Sequence, residues 1–299
     1  MSNFVPIFRG SVNARECDIM GHFNVQFYAA KMFEGLNHLK LQLGLSPDRN
    51  ITWQANRLFS RYQGELHAGD IVDIRAGILA VEADRVHILA EIMNGETGKM
   101  SASFELWCDG FNTATQQSTP WPDDIQHKMT AMEISRADEP RAPTAGGPVP
   151  EHSNTLSEPF VSARGSIAAW DCDGDGVMAP QRYYAVGSDG VLNVRHRMGF
   201  TREVNEAGNL GGAALEYDVR VYAPMRAGDL YTLRSGILDL GAKTFRFGHA
   251  FHNDTDGTLA ATYDVVGVLF DLKARRATAI PDFIREQSKS LIIPWPPTR

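Results

Sequence analysis

The sequence predicts an α+β protein built from two tandem copies of one unit, each a long helix followed by about four antiparallel strands. An ordered series of residues recurs in the second half of the chain, and both halves show the same succession of helical and strand-like patterns. A segment rich in Pro, Gly, Ser and charged residues separates them. We therefore expect an N-terminal domain over residues 1–136, a linker over 137–159 and a C-terminal domain over 160–299.

The duplication can be followed residue by residue. Arg9-Gly10-Ser11 recurs 155 positions later as Arg164-Gly165-Ser166. The same offset relates Cys17 to Cys172, Asp18 to Asp173, Gly21 to Gly176, Gln26 to Gln181 and Tyr28 to Tyr183. Further on the offset becomes 159, as in Ala68-Gly69-Asp70 and Ala227-Gly228-Asp229, so the second copy has four extra residues after Gly199. Chance does not produce an ordered series with a single insertion, and we infer an ancestral duplication.

Each copy contains the same predicted elements. Apolar residues at helical spacing predict a helix over residues 25–43, which Gly44 ends, and its counterpart spans residues 181–198 before Gly199. A short strand is expected before each helix, at residues 8–14 and 160–168. Strand-like runs follow the helix at residues 57–65, 71–81, 86–94 and 99–111 in the first copy. In the second copy they lie at 215–223, 230–239, 243–253 and 258–272. A closing helix is expected at Pro122 and at Pro281.

A group of polar residues lies just before the first long helix. Asp18, His22 and Asn24 surround Gly21 within seven residues. The second copy keeps the aspartate and the glycine, but Val177 and Ala179 replace the histidine and the asparagine. Tyr28 follows on the predicted helix of the first copy.

This order of elements and these residues resemble the hotdog fold, and more specifically the 4-hydroxybenzoyl-CoA thioesterase-like and acyl-ACP thioesterase-like superfamily. The resemblance covers nearly the whole chain, as a fused pair of hotdog domains. It implies an enzyme, a thioester hydrolase that cleaves acyl-CoA or acyl-ACP and uses coenzyme A only as part of the substrate, with no other cofactor. It also implies a catalytic site where two hotdog units meet, with Asp173 and Gln181 as the second copy's equivalents.

Thioester hydrolysis requires an activated nucleophile and donors for the oxyanion that forms on the carbonyl oxygen. We assign Asp18 as general base or nucleophile, and the N–H groups of Gly21 and His22, expected at the helix N-terminus, as the oxyanion hole. The His22 side chain would polarise the carbonyl, and Asn24 would position water or cap the helix. Each residue has a structural alternative: Asp18 as a turn cap, His22 as a core histidine, Asn24 as a pure cap.

Three further residues are weaker candidates for substrate binding. Tyr28 is expected either in the core or at the substrate, and Arg57 and Arg61 either meet the phosphates of coenzyme A or are solvated.

The remaining sequence features limit the class of protein. A net charge of -7 with a pI of about 5.7 argues against a nucleic-acid-binding protein. No apolar run is long enough for a membrane span, and three cysteines do not make a disulfide framework. We therefore expect a cytoplasmic protein with no membrane or nucleic-acid partner, either monomeric or a homodimer of the two-copy chain.

No metal site is expected. The chain has no zinc-type spacing of cysteine and histidine. Asp171, Asp173, Asp175 and Gly176 fit the start of a calcium loop, but Arg182 stands where the loop needs a glutamate.

Two other functions stay open at this point: a hotdog hydratase or dehydratase acting on acyl thioesters, and a non-catalytic acyl-thioester binding protein. The signature of the first is not found in the sequence, and both copies keep the aspartate that the second would be free to lose.

Overall fold

The structure is a computed structural model that describes residues 3–18, 20–136, 141–151 and 156–297. The chain divides into two compact units, Met1–Ala142 and Pro143–Arg299. Each unit is a long helix with an antiparallel sheet, so the predicted α+β class and the two hotdog domains are confirmed. No helix in the described ranges is long and apolar enough to cross a bilayer.

The first unit has a five-stranded sheet with a short added strand. Its elements are β1 (Val5–Ser11), α1 (Val25–Leu43), β2 (Ile51–Tyr62), β3 (Ile71–Val81), β4 (Arg85–Asn94), β5 (Met100–Asn112), β6 (Gln117–Ser118) and α2 (Asp123–Ala131). The sheet order is β1-β3-β4-β5-β2, all neighbours are antiparallel, and β6 pairs with β5.

Helix α1 is the centre of the first unit. Met32, Leu36, Leu39 and Leu43 on its inner face are almost completely buried, as their helical spacing predicts. The helix ends at Gly44, whose φ of +83° is accessible to glycine at little cost. The predicted bounds of this helix are therefore confirmed at both ends.

The second unit repeats this arrangement. Its elements are β7 (Phe160–Ser166), α3 (Gln181–Arg197), α4 (Arg202–Gly208), β8 (Leu210–Val221), β9 (Leu230–Leu240), β10 (Thr244–Asn253), β11 (Leu259–Asp271), β12 (Arg276–Ala277) and α5 (Asp282–Ser288). The order within this unit is β8-β11-β10-β9-β7, again antiparallel, and β12 pairs with β11.

The four extra residues of the second copy lie between its long helix and the next strand. In the first unit a single 3₁₀ turn, Pro47–Arg49, makes this connection, whereas the second unit has helix α4 there. Strands β2 and β8 also begin earlier than predicted, at Ile51 and Leu210. Pairing with β5 and β11 extends them, and that pairing is not visible in a local sequence pattern.

Part of the predicted linker packs into the second unit. The backbone N–H groups of residues 144–146 donate to the carboxylates of Glu216 and Asp264 at 2.7–3.0 Å. The buried guanidinium of Arg246 donates to the carbonyl oxygens of residues 147 and 148 at 2.7 Å. The boundary between units therefore falls inside the segment assigned to the linker. Residues 137–140 and 152–155 of that segment lie outside the described residues.

Candidate active site

The polar residues before α1 form a tight turn closed by a short antiparallel bridge between Cys17 and Phe23. Inside the bridge the N–H of Asp18 donates to the carbonyl of His22 at 2.8 Å, and the N–H of Gly21 donates back to Asp18 at 3.0 Å. Gly21 has a φ of +80°, a conformation that residues with a side chain rarely adopt. This explains why glycine recurs at this position in the second copy.

The carboxylate of Asp18 holds this turn. Its Oδ1 accepts the N–H groups of Met20 at 2.8 Å and His22 at 3.1 Å. In the second unit Oδ1 of Asp173 accepts the two equivalent N–H groups, both at 3.0 Å. The aspartate that recurs between the copies therefore has a structural role in both of them.

The structure does not support the predicted oxyanion hole at Gly21 and His22. Helix α1 begins at Val25, so both residues precede the helix N-terminus. Their N–H groups are also already used, because the first donates to the Asp18 carbonyl and the second to the Asp18 carboxylate. A substrate oxygen would have to displace these bonds, at the cost of leaving the turn unsatisfied.

Asn24 is the N-cap of α1, and its predicted capping role is confirmed. Its Oδ1 accepts the N–H of Gln26 at 3.1 Å, and its own N–H donates to the carbonyl of Glu16 at 2.9 Å. With Oδ1 bound to the helix, the amide N–H₂ group is the part of Asn24 that can act on a substrate or a water molecule.

The His22 side chain is mostly buried, with 17% of it exposed. Its Nε2 lies 3.6 Å from Oε2 of Glu65, and its ring meets the ring of His67 edge-on, with centroids 5.3 Å apart. Both partners belong to the loop that follows β2, and a backbone bridge joins His22 to His67. The turn and this loop thus bring two histidines and a carboxylate together.

Sequence analysis missed Glu65 and His67, although a signal for them was present. At the offset of 159 the second copy has Pro224 and Arg226 at these two positions. The structure has the same backbone bridge there, between Val177 and Arg226. The comparison of copies that singled out His22 and Asn24 would also have singled out Glu65 and His67.

Tyr28 lies in the core of the first unit. Its side chain is 3% exposed, its ring lies 4.4 Å from that of Phe23, and its hydroxyl donates to the carbonyl of Gly64 at 3.3 Å. Burial raises the pKa of the hydroxyl above its usual range. These contacts favour the packing role over substrate binding.

The other substrate-binding candidates make contacts of their own. The Arg57 guanidinium lies over the ring of Trp107 at 4.5 Å. Arg61 donates to the carbonyl of Arg141 at 2.9 Å. Gln181 is half-buried at the first position of α3. Coenzyme A binding by these residues stays a prediction.

Two hotdog units, each with an aspartate-capped turn ahead of its long helix, define a double-hotdog protein. A profile of the thioesterase-like superfamily matches residues 12–129 in the first unit and 167–288 in the second. The chain belongs to the thioesterase-like superfamily. No protein with a curated description matches its sequence.

Solved structures with the same fold are similar over most of their length. A Lactobacillus plantarum protein, provisionally described as an oleoyl thioesterase, has a TM-score of 0.69 and 12% identity, covering 89% of this chain and 96% of its own. An acyl-ACP thioesterase from Bacteroides thetaiotaomicron has a TM-score of 0.63 and 12% identity, and the match covers 89% of this chain and 98% of that protein. The 12:0-ACP thioesterase from Umbellularia californica has a TM-score of 0.64 and 12% identity, and the match covers 89% of this chain and 97% of that protein. At this identity the likeness establishes the double-hotdog fold.

Proposed function

We propose that the protein is a thioester hydrolase that cleaves acyl-CoA or acyl-ACP at the turn ahead of α1. The observation that carries this proposal is the difference between two turns with the same backbone hydrogen bonds. The first turn carries His22 and Asn24, and the second carries Val177 and Ala179. The second unit forms the same turn without these two polar side chains, and the cap of α1 uses only Oδ1 of Asn24, so the His22 imidazole and the Asn24 amide N–H₂ group support a chemical role.

Asp18 is proposed as general base or nucleophile through its second carboxylate oxygen. Oδ1 is held by two N–H groups, and Oδ2 has no hydrogen-bond partner among the described residues. The two bonds fix the direction of the carboxylate, so Oδ2 needs no reorganisation before it takes a proton from water or attacks the carbonyl carbon. The structural and the catalytic roles therefore use different atoms of one side chain.

Side chains replace the backbone groups as proposed donors to the oxyanion. The proposed donors are Nε2–H of His22 and the amide N–H₂ of Asn24, on the two sides of the bridge residue Phe23 in sequence. The Glu65 carboxylate lies 3.6 Å from Nε2 of His22, beyond hydrogen-bond distance, and so does not hold this N–H. A single donor to the oxyanion contributes about 3 kcal/mol of transition-state stabilisation in enzymes of this type of chemistry. The backbone N–H groups of the turn are not required.

The substrate class is supported by the superfamily and by the fold neighbours that are acyl-ACP thioesterases. Coenzyme A or the carrier's phosphopantetheine arm would enter only as part of the substrate, without a further cofactor. We place the protein in the cytoplasm, and its three free cysteines are in keeping with a reducing compartment. The oligomeric state stays a prediction.

The test is thiol release from a panel of acyl-CoA and acyl-ACP substrates by the wild type and by Asp18→Asn. Asparagine keeps an oxygen that accepts the two N–H bonds of the turn but cannot act as a base. We expect kcat to fall at least about 100-fold, in line with the contribution of a positioned base, while the melting temperature stays within a degree or two of that of the wild type.

Asp173→Asn is the matched control, because it makes the same change in the same turn of the second unit. We expect it to hydrolyse the substrates of the wild type at a similar rate. A wild type that binds acyl thioesters but releases no thiol would contradict the proposed hydrolysis. Loss of activity in Asp173→Asn with retention in Asp18→Asn would contradict the proposed site.

A further inference from the structure

We propose that His22, Glu65 and His67 form a binding site for a divalent transition-metal ion of the zinc class. Each residue offers one ligand atom, and the three atoms all lie within 4.8 Å of one another. The sequence shows no metal site at short ligand spacings, because His22 and Glu65 are 43 positions apart.

The distances are close to those of a metal site. Nε2 of His22 and Nε2 of His67 lie 3.6 and 4.0 Å from the same carboxylate oxygen, Oε2 of Glu65. Ligand atoms about 2.0–2.1 Å from a tetrahedral zinc ion are roughly 3.4 Å apart. Side-chain rotations that bring the atoms slightly closer are therefore enough, and the side chains of Glu65 and His67 are 34% and 48% exposed.

The donor set selects the class of ion. Two imidazoles and one carboxylate are a common protein ligand set for zinc, and they leave at least one coordination position for water. Copper and nickel ions compete for such nitrogen-rich sites, whereas calcium and magnesium prefer oxygen ligands. The exposed fraction of the His67 side chain, 48%, provides a path of entry from solvent.

A second carboxylate, that of Asp70, lies near the other ring nitrogen of His67. Oδ2 of Asp70 accepts the backbone N–H of His67 at 2.8 Å and lies 3.9 Å from Nδ1 of its ring. A carboxylate at the far nitrogen is the usual outer partner of a metal-bound histidine, since it fixes the orientation of the ring.

The second unit shows which part of this arrangement belongs to the fold. Its backbone has the same bridge, and Oδ2 of Asp229 accepts the N–H of Arg226 at 2.8 Å, as Asp70 does for His67. The side chains at the three ligand positions are Val177, Pro224 and Arg226, which cannot hold a cation. The frame is therefore common to both units, and the ligands are specific to the first.

Metal binding has a consequence for the proposed hydrolysis. A bound ion would occupy Nε2 of His22 and remove the donor that the proposed mechanism uses, so zinc would inhibit thioester cleavage. This consequence depends on the proposed function, whereas the binding itself does not.

The experiment is zinc binding to tag-free, chelator-stripped full-length protein, measured by isothermal titration calorimetry. We expect one ion per chain for the wild type and no comparable binding of Mg²⁺. His67→Gln should weaken zinc binding at least about 100-fold, because it removes a direct ligand and even outer partners contribute 10- to 100-fold. His127→Gln, which changes an exposed histidine on α2, should bind zinc as the wild type does.

Two results would overturn the inference: a wild type that binds no zinc, or equal binding by the wild type and His67→Gln. Thiol release measured on the same samples separates this inference from the proposed function. Zinc binding without hydrolysis of any thioester would retain the metal site and contradict the hydrolase. Hydrolysis without zinc binding would retain the hydrolase and contradict the metal site.

Discussion

Asp18 meets a need of the fold with one carboxylate oxygen, and the proposed chemistry uses the other. The turn from Cys17 to Phe23 points two N–H groups inward, and Oδ1 of Asp18 accepts both of them. Asp173 does the same for the second turn. The recurrence of this aspartate is therefore explained by turn geometry, and the residues that differ between the turns are the more specific indicators of function.

Asp18→Ala is predicted to destabilise the protein by about 1–2 kcal/mol, because two N–H groups lose their acceptor. Asp18→Asn should cost much less, since the amide oxygen replaces Oδ1. Urea denaturation of the two variants measures the difference in free energy of unfolding. Equal destabilisation by alanine and asparagine would mean that the charge, and not the acceptor, holds the turn.

Local sequence signals were sufficient for the long helices. The apolar spacing, the Asn24 cap and the left-handed Gly44 place both ends of α1 where the structure has them. The same signals do not tell which helical glycines are needed. In α3 a Cβ at Gly190 would lie 2.5 Å from Cδ2 of Leu233, whereas a Cβ at Gly187 would make only ordinary contacts, the nearest at 3.4 Å.

These two glycines of α3 give a matched pair of substitutions with opposite expected signs. Gly187→Ala should stabilise the protein by about 0.5–1 kcal/mol, because alanine restricts the unfolded chain and favours the helix. Gly190→Ala should destabilise it by about 1–3 kcal/mol through overpacking against β9. Thermal unfolding of both variants measures this, and a stabilising Gly190→Ala would show that Leu233 can move aside without cost.

The second unit buries a chain of polar side chains that no local sequence pattern indicates. The hydroxyl of Ser235 lies 2.6 Å from Nδ1 of His249 and 2.5 Å from the hydroxyl of Ser162. All three side chains are buried, and Nε2 of His249 has no hydrogen-bond partner in the described part of the chain. Burial lowers the pKa of His249 from 6.5 to about 3.

This shift predicts a loss of stability in acid. Below about pH 6.5 the unfolded chain binds a proton at His249 that the folded protein does not bind until about pH 3. The free energy of unfolding therefore falls as the pH falls through this window, by up to about 1.4 kcal/mol per pH unit from this residue. His249→Gln should remove this part of the slope in urea denaturation between these pH values. An unchanged slope would show that His249 is protonated in the folded protein.

The duplication, the bounds of α1 and the superfamily could be read from the chain alone, because periodicity, caps and the offsets of 155 and 159 are local or repeated signals. Only the folded backbone places Glu65 and His67 beside His22, since a bridge between segments more than 40 residues apart makes that contact. It also decides that the Gly21 N–H is already bonded, and that residues 144–148 pack on buried charges of the second unit. Such contacts depend on the register between distant segments, which no short stretch of sequence contains.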